Sequence, residues 1–307
     1  MFGGGLGLQC GASGPAGRSI GGRMKSFQNK VAAITGAGSG IGQALALRLA
    51  NAGCALALSD INDTGLQNTA EQARATGVTV TTQVLDVAKR DAVYAWAGQV
   101  ADEHSQVNLI FNNAGVALGA PVDGMSEADL KWIMDINFWG VVYGTQAFLP
   151  LLKASGDGHI INISSIFGIA GIPSQSAYNA SKFAVRGFTE ALRQELEIAG
   201  EPVSATTVHP GGIKTNIAQS ARFSSNMKAL MGVDEKDGKK NFEKMFITTS
   251  DSAAKVILDA VRANRRRVLI GPDAKAIDLM VRLMPEGYQR LISFGAKWQR
   301  RKAGETG

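Results

Sequence analysis

From Lys30 onward, short apolar and β-branched runs alternate with longer stretches of helical periodicity, and the alternation holds to Ile270. Few folds accept such a string. A strand, a helix and a second strand of the same kind form a right-handed crossover between parallel neighbours, so the repeated unit builds a parallel sheet with helices on both faces. Strands are expected near 31–35, 54–59, 78–85, 107–112, 158–164, 203–209 and 267–270, and helices near 41–51, 64–76, 88–104, 126–154, 176–199 and 251–263. Ser126, with Asp129 in the first turn, marks one helix start, and Gly200 marks one helix end. Seven strands fit one sheet better than two. The expectation is a single α/β domain, a doubly wound parallel sheet of about seven strands, and 45% hydrophobic residues are ample for its core.

The first strand runs into Thr35-Gly36-Ala37-Gly38-Ser39-Gly40-Ile41-Gly42, and a helix opens at once. Gly36, Gly40 and Gly42 let the backbone turn sharply and approach a ligand closely, while the helix N-terminus offers unpaired N–H groups and a partial positive charge. That order suits a pyrophosphate. The second strand ends at Asp60, whose carboxylate can accept from both ribose hydroxyls of an adenosine and would repel a 2′-phosphate. Ile61 and Asn62 follow it and Ser39 precedes Gly40, so no cation stands ready for that phosphate. The expected cofactor is NAD rather than NADP.

Tyr178-Asn179-Ala180-Ser181-Lys182 carries the chemistry. Residues i and i+4 share a helix face, so the Lys182 charge can sit beside the Tyr178 oxygen and favour the phenolate. A phenol drawn down from its ordinary pKa of about 10 can exchange protons with an alcohol or a ketone. Ser164 and Ser165 stand just upstream.

In this order the motifs resemble the short-chain dehydrogenase/reductase family, classical type, over nearly all of residues 28–270. Thr35–Gly42 is similar to the family's TGxxxGxG cofactor loop, which implies contacts at Gly36, Ser39, Gly40, Ile41 and Gly42. Asp86 and Val87 resemble its adenine contact. Asn112-Asn113-Ala114-Gly115 resembles its NNAG segment, with Asn113, Ala114 and Gly115 at the cofactor. Pro210-Gly211-Gly212-Ile213-Lys214-Thr215 resembles the PGxxxT segment that holds the nicotinamide carboxamide, through Pro210, Gly211, Ile213 and Thr215.

The resemblance implies a Rossmann-type fold and a catalytic set of Asn137, Ser165, Tyr178 and Lys182. Ser165 is preferred to Ser164 because it lies thirteen residues before Tyr178, the family spacing. Tyr178 would act as general acid/base, Ser165 would bond the substrate oxygen, and Lys182 would lower the Tyr178 pKa and bond the nicotinamide ribose. Asn137 would hold a proton-relaying water.

Apolar Ile166, Phe167, Ile169 and Ile172 after Ser165 suggest a medium or bulky secondary alcohol or ketone as substrate. A regulator of the same fold that binds NAD without turnover is the alternative. A homodimer or homotetramer is implied, built on the helices near 126–154 and 176–199, and Phe138, Trp139 and Phe148 are compatible with such a surface, although core burial explains them as well.

The remaining segments bound the reading. Residues 1–27 form a glycine-rich leader expected to lack order, with Met24 as an alternative start, and 28–272 the catalytic domain. Within it, 213–249 mixes a polar Asp234–Lys240 run with Phe223, Met227, Met231, Phe242, Met245 and Phe246, which suits a segment covering the substrate. Residues 273–307 are a basic amphipathic extension, and from Arg262 to Lys302 eleven Lys or Arg face three acids. It is expected to pack over the site or on a neighbouring subunit, an anionic membrane surface being the alternative. No nucleic-acid module accompanies the net charge of +6. Cys10 and Cys54 give no disulfide framework and His104, His159 and His209 no metal spacing, so no metal is expected and the chain reads as cytoplasmic.

Overall fold

The computed structural model describes residues 24–217, 221–224, 226 and 246–305. Seven parallel strands lie in the spatial order Arg267–Ile270, Val203–Pro210, Gly158–Ile163, Leu109–Asn112, Val31–Thr35, Ala55–Asp60 and Val80–Val84. Val31–Thr35, Leu109–Asn112 and Gly158–Ile163 are buried along their whole length, as strands covered on both faces must be. Alternate residues feed opposite layers: Ala32 and Ile34 pack with Leu45, Leu49, Ile257 and Val261 on one side. Ala33, Ile110 and Ile160 pack with Trp96, Phe148, Leu192 and Leu196 on the other. Trp96 and Phe148 meet edge to face at 5.0 Å. Phe148 is thus core, not a subunit surface, whereas Trp139 is exposed.

Strand order reverses between Val31–Thr35 and Leu109–Asn112, which opens a crevice at their C-terminal ends. A buried polar ladder crosses the sheet beside it. Asn112 and Asn162 stand in register on adjacent strands, and Asn112 Nδ2 donates to Asn162 Oδ1 at 2.8 Å and to Thr145 Oγ1 at 3.1 Å. Asn162 Nδ2 continues to Thr189 Oγ1 at 2.9 Å, so both covering helices are tied to the central strands.

The helix expected over 126–154 comprises an α-helix Glu127–Met134, a π turn Asp135–Trp139 and an α-helix Gly140–Ala154. Ser126 Oγ caps its start, accepting from Asp129 N–H at 3.0 Å. Helix Ser176–Ile198 closes at Gly200, in the left-handed region at φ +65°, with Gly200 N–H on Glu197 O and Glu201 N–H on Leu196 O.

Met24 and Phe27 are buried in the core, and 1–23 lie outside the described residues. The extension forms helices Pro272–Leu283 and Gly287–Glu305, and Ala274, Asp278 and Tyr288 bury themselves on the domain. In the 213–249 segment, Ile213–Lys214 pairs with Thr248–Thr249, and Arg222–Phe223 with Leu118–Gly119. The Asp234–Lys240 run, Met227, Met231, Phe242 and Met245 lie outside the described residues.

Candidate active site

A cavity of about 830 Å³ follows the crevice from Asp60 and Asn62, past the glycine loop, to Ser165, Tyr178, Lys182 and Pro210–Ile213. Its far wall is apolar, with Trp132, Ile166, Phe167, Ile217 and Phe246.

The glycine loop is shaped by conformation and by close approach. Gly36 and Gly40 sit in the left-handed region, at φ +66° and +57°. A Cβ on Gly42 would run into the Gly36 carbonyl. Ser39 is extended and its hydroxyl makes no capping bond, so the first-turn N–H groups of helix Gly40–Asn51 face the cavity without a side-chain partner. Asp60 braces the loop: Oδ2 accepts from Gly38 N–H and Oδ1 from Asn62 N–H, each at 2.8 Å.

Asn113 and Ala114 fasten the same loop to the central strand. Their N–H groups both donate to Thr35 Oγ1, at 3.0 and 3.1 Å, and Asn113 Nδ2 donates to Thr35 O and Gly36 O. Asp86 Oδ1 accepts from Ala88 N–H, Val87 packs on Gly140, and both line the cavity, as do Ile41, Gly115 and Thr215.

Ser165, Tyr178 and Lys182 converge at the inner end. Ser165 Oγ caps a short 3-10 turn, accepting from Phe167 N–H at 3.2 Å, whereas Ser164 Oγ is turned away to Lys182 O at 2.8 Å. Burial pushes the Tyr178 phenol up to about 12, while a hydrogen bond with the Ser165 side chain draws it down. Burial also lowers the Lys182 ammonium to about 8. Lys182 Nζ lies 5.7 Å from the Tyr178 ring centroid and donates to Ile163 O at 3.1 Å. In this arrangement the Ser165 hydroxyl draws the Tyr178 phenol down and desolvation outweighs it.

Asn137 and Gly42 stand behind the cavity lining. Asn137 sits in the π turn, where Oδ1 accepts from Val116 N–H at 2.8 Å and Nδ2 donates to Val116 O at 2.9 Å and Ser181 Oγ at 3.2 Å. A Cβ on Gly115 would lie 3.2 Å from Asn137 Oδ1 and 3.4 Å from Lys182 Nζ, which places those two groups around one point.

Three positioning residues were missed. Asn179 staples the strand-end segment to its helix, with Nδ2 on Phe167 O and Ala170 O and Oδ1 accepting from Ile172 N–H. A buried amide beside Tyr178 was a readable signal. Asp273 Oδ2 accepts from Gly212 N–H at 2.7 Å, so the extension holds one wall of the cavity, and Tyr288 Oη accepts from Gly171 N–H at 3.1 Å in the segment that follows Phe167. Nothing local in the sequence points to either.

Comparisons with known proteins agree with this geometry. The family model described as short chain dehydrogenase matches residues 30–225. SadH of Mycobacterium tuberculosis, assigned as an oxidoreductase, is 49% identical over 273 residues, covering 89% of this chain and 97% of SadH. A short-chain dehydrogenase/reductase from Burkholderia phymatum, solved in complex with NAD, shares 30% identity with TM-score 0.78, covering 86% of this chain and 96% of that one. An alcohol dehydrogenase from Thermococcus sibiricus, complexed with 5-hydroxy-NADP, shares 27% identity with TM-score 0.64, covering 78% and 95%.

Proposed function

The chain belongs to the short-chain dehydrogenase/reductase family of oxidoreductases, and we propose that within it this protein moves a hydride between NAD and a secondary alcohol or ketone of apolar, medium to bulky character. The observation that carries the reading is one cavity shared by the glycine loop, Asp60 and the Ser165–Tyr178–Lys182 cluster. The residues present fit a dinucleotide. Side chains at Gly36, Gly38 or Gly40 would clash with Ala114, Asp60 or Thr215, so the glycines keep the loop closed on its supports and its backbone open to a ligand.

In this reading Gly36, Ser39, Gly40 and Ile41 take the pyrophosphate and Asp60 the adenosine ribose. Asp86 and Val87 take the adenine, Asn113–Gly115 the chain between, and Pro210, Gly211, Ile213 and Thr215 the carboxamide. NAD is preferred because Asp60 meets any 2′-phosphate with like charge, although one relative carries an NADP derivative. Bound NAD supplies the hydride acceptor or donor.

The chain's own residues handle the proton. In reduction Tyr178, held protonated by burial, gives its phenol proton to the ketone oxygen, and Ser165 donates a hydrogen bond to that oxygen as charge develops. In oxidation the phenol must ionise against desolvation, and the Lys182 cation over its ring and the Ser165 hydroxyl favour the phenolate. Asn137 acts behind them, holding Val116 and the relay path at Gly115. The apolar wall of Trp132, Ile166, Phe167 and Phe246 selects the substrate. Exposed Trp139 and Phe183 favour a homodimer or homotetramer on these helices, and buried thiol Cys54 suits a cytoplasmic setting.

Turnover with NAD and NADP on aliphatic, aryl and steroid alcohols, for wild type and Tyr178→Phe, tests the proposal. Activity with NAD that disappears in the variant while NAD binding persists is expected. Polyol oxidation with no activity on apolar alcohols would overturn the substrate class, and NAD binding without turnover would move the protein to a regulatory role.

A further inference from the structure

The two helices beyond Gly271 turn one side to the domain and leave the other exposed, and that outer side is apolar and cationic together. On Pro272–Leu283, Leu279 and Leu283 lie one turn apart, and Leu283 keeps 71% of its surface exposed. On Gly287–Glu305, Leu291, Phe294 and Trp298 recur at i, i+3 and i+7 along one stripe, with Phe294 72% exposed. Tyr288 and Ile292 face inward instead.

Arg290, Lys297 and Arg301, at i, i+7 and i+11, form an exposed stripe beside the apolar one, and Lys275 and Arg282 flank Leu279 and Leu283. Between Lys275 and Arg301 the acids are Asp278 and Glu286. Asp278 is buried and paired with Arg267 and Arg282, which leaves Glu286 alone at the surface against these cations. Two copies of such a face would bring like charges together, so the charge pattern disfavours self-association there.

We propose that this face rests on an anionic lipid surface, with the leucine, phenylalanine and tryptophan side chains at the acyl boundary and the Arg and Lys heads on the lipid phosphates. No helix among the described residues is long and apolar enough to cross a membrane, so the contact is peripheral. The inward side of the same extension packs Ile277 into the apolar cluster that contains Phe167 of the cavity wall, and Tyr288 bonds Gly171 beside it, which sets that cluster against the lipid-facing layer.

Sedimentation of the full chain with phosphatidylcholine vesicles, alone or with about a third phosphatidylglycerol, tests this independently of activity. Binding to the anionic vesicles, none to the neutral ones, and loss at high salt are expected. Arg290→Gln with Lys297→Gln and Arg301→Gln should lower the partition roughly 100-fold at low salt, about fivefold per charge. Leu283→Ser with Phe294→Ser should abolish the binding that survives at physiological salt, with the far-ultraviolet melting curve unchanged. Equal sedimentation with neutral and anionic vesicles, or with neither, would overturn the proposal. So would a fall in the mass of the assembly in solution for the Leu283→Ser, Phe294→Ser protein without any change on vesicles, since the face would then join copies of the chain.

Discussion

Asp273 gives the sharpest test of how the cavity is held. Its carboxylate reaches back from the first turn of Pro272–Leu283 to accept from Gly212 N–H at 2.7 Å, and Gly212 is buried. Asp273→Ala leaves that N–H without its acceptor, which costs about 1–3 kcal/mol, toward the upper end because the acceptor is a carboxylate. Gly211 and Gly212 line the cavity, so the cost falls on a segment that must be ordered before the cofactor can be held. If binding requires the ordered loop, affinity for NAD falls by the same factor, roughly 5- to 150-fold. Asp273→Asn keeps an oxygen for Gly212 and should recover most of the loss. Calorimetric titration of both variants with NAD, beside thermal melts, reads the two effects separately. If Asp273→Ala binds NAD within about twofold of wild type, the carboxylate does not position the loop and the reasoning fails.

Gly42→Ala sets helix propensity against sterics: alanine favours a helix interior by about 1 kcal/mol, but its Cβ would run into the Gly36 carbonyl, so NAD affinity should fall roughly 5- to 150-fold with little loss of melting temperature. Unchanged affinity would show that the loop yields freely. For Asp60→Ser, NAD turnover should drop about 10- to 100-fold while NADP turnover holds or rises, and equal losses with both cofactors would refute the assigned role.

Acid stability follows from two buried imidazoles. Burial lowers His159 to about 3 and His209 to about 4, so each is neutral when folded and the unfolded chain takes up more protons below pH 6.5. Stability is complete above that pH and declines as pH falls toward the folded values, by about 2 kcal/mol per histidine at pH 5. Urea midpoints that stay constant from pH 7 to 5 would contradict this.

The sheet was legible because its central strands are apolar enough to be buried on both faces, and the crossover rule then leaves little choice of topology. The glycine loop and the Tyr178–Lys182 face were legible because both depend on local spacing. What lay beyond reach depended on distant chain. The π turn at Asn137 has the composition of an ordinary helix, and only its packing on Val116 and Ser181 distinguishes it. Spacing put Tyr178 and Lys182 on one face, yet the ammonium donates to Ile163 at the end of a different strand. Asp273 and Tyr288 reach the site from a segment whose sequence shows only charge and apolar periodicity. Met24 and Phe27 were not legible as core residues beside the glycine-rich stretch that precedes them, although both fill the core.

The ladder from Thr145 through Asn112 and Asn162 to Thr189 also bears on how the chain assembles. Apolar strands alone discriminate poorly among registers, since one branched side chain packs much like the next. Shifting Leu109–Asn112 against Gly158–Ile163 by a single position would turn alternate side chains to the other face and strand two amides in hydrocarbon, at about 1–3 kcal/mol for each lost partner. The centre of the sheet thus carries its own proofreading: a mis-threaded pairing is penalised at the junction of the two halves of the domain, whatever the outer strands do.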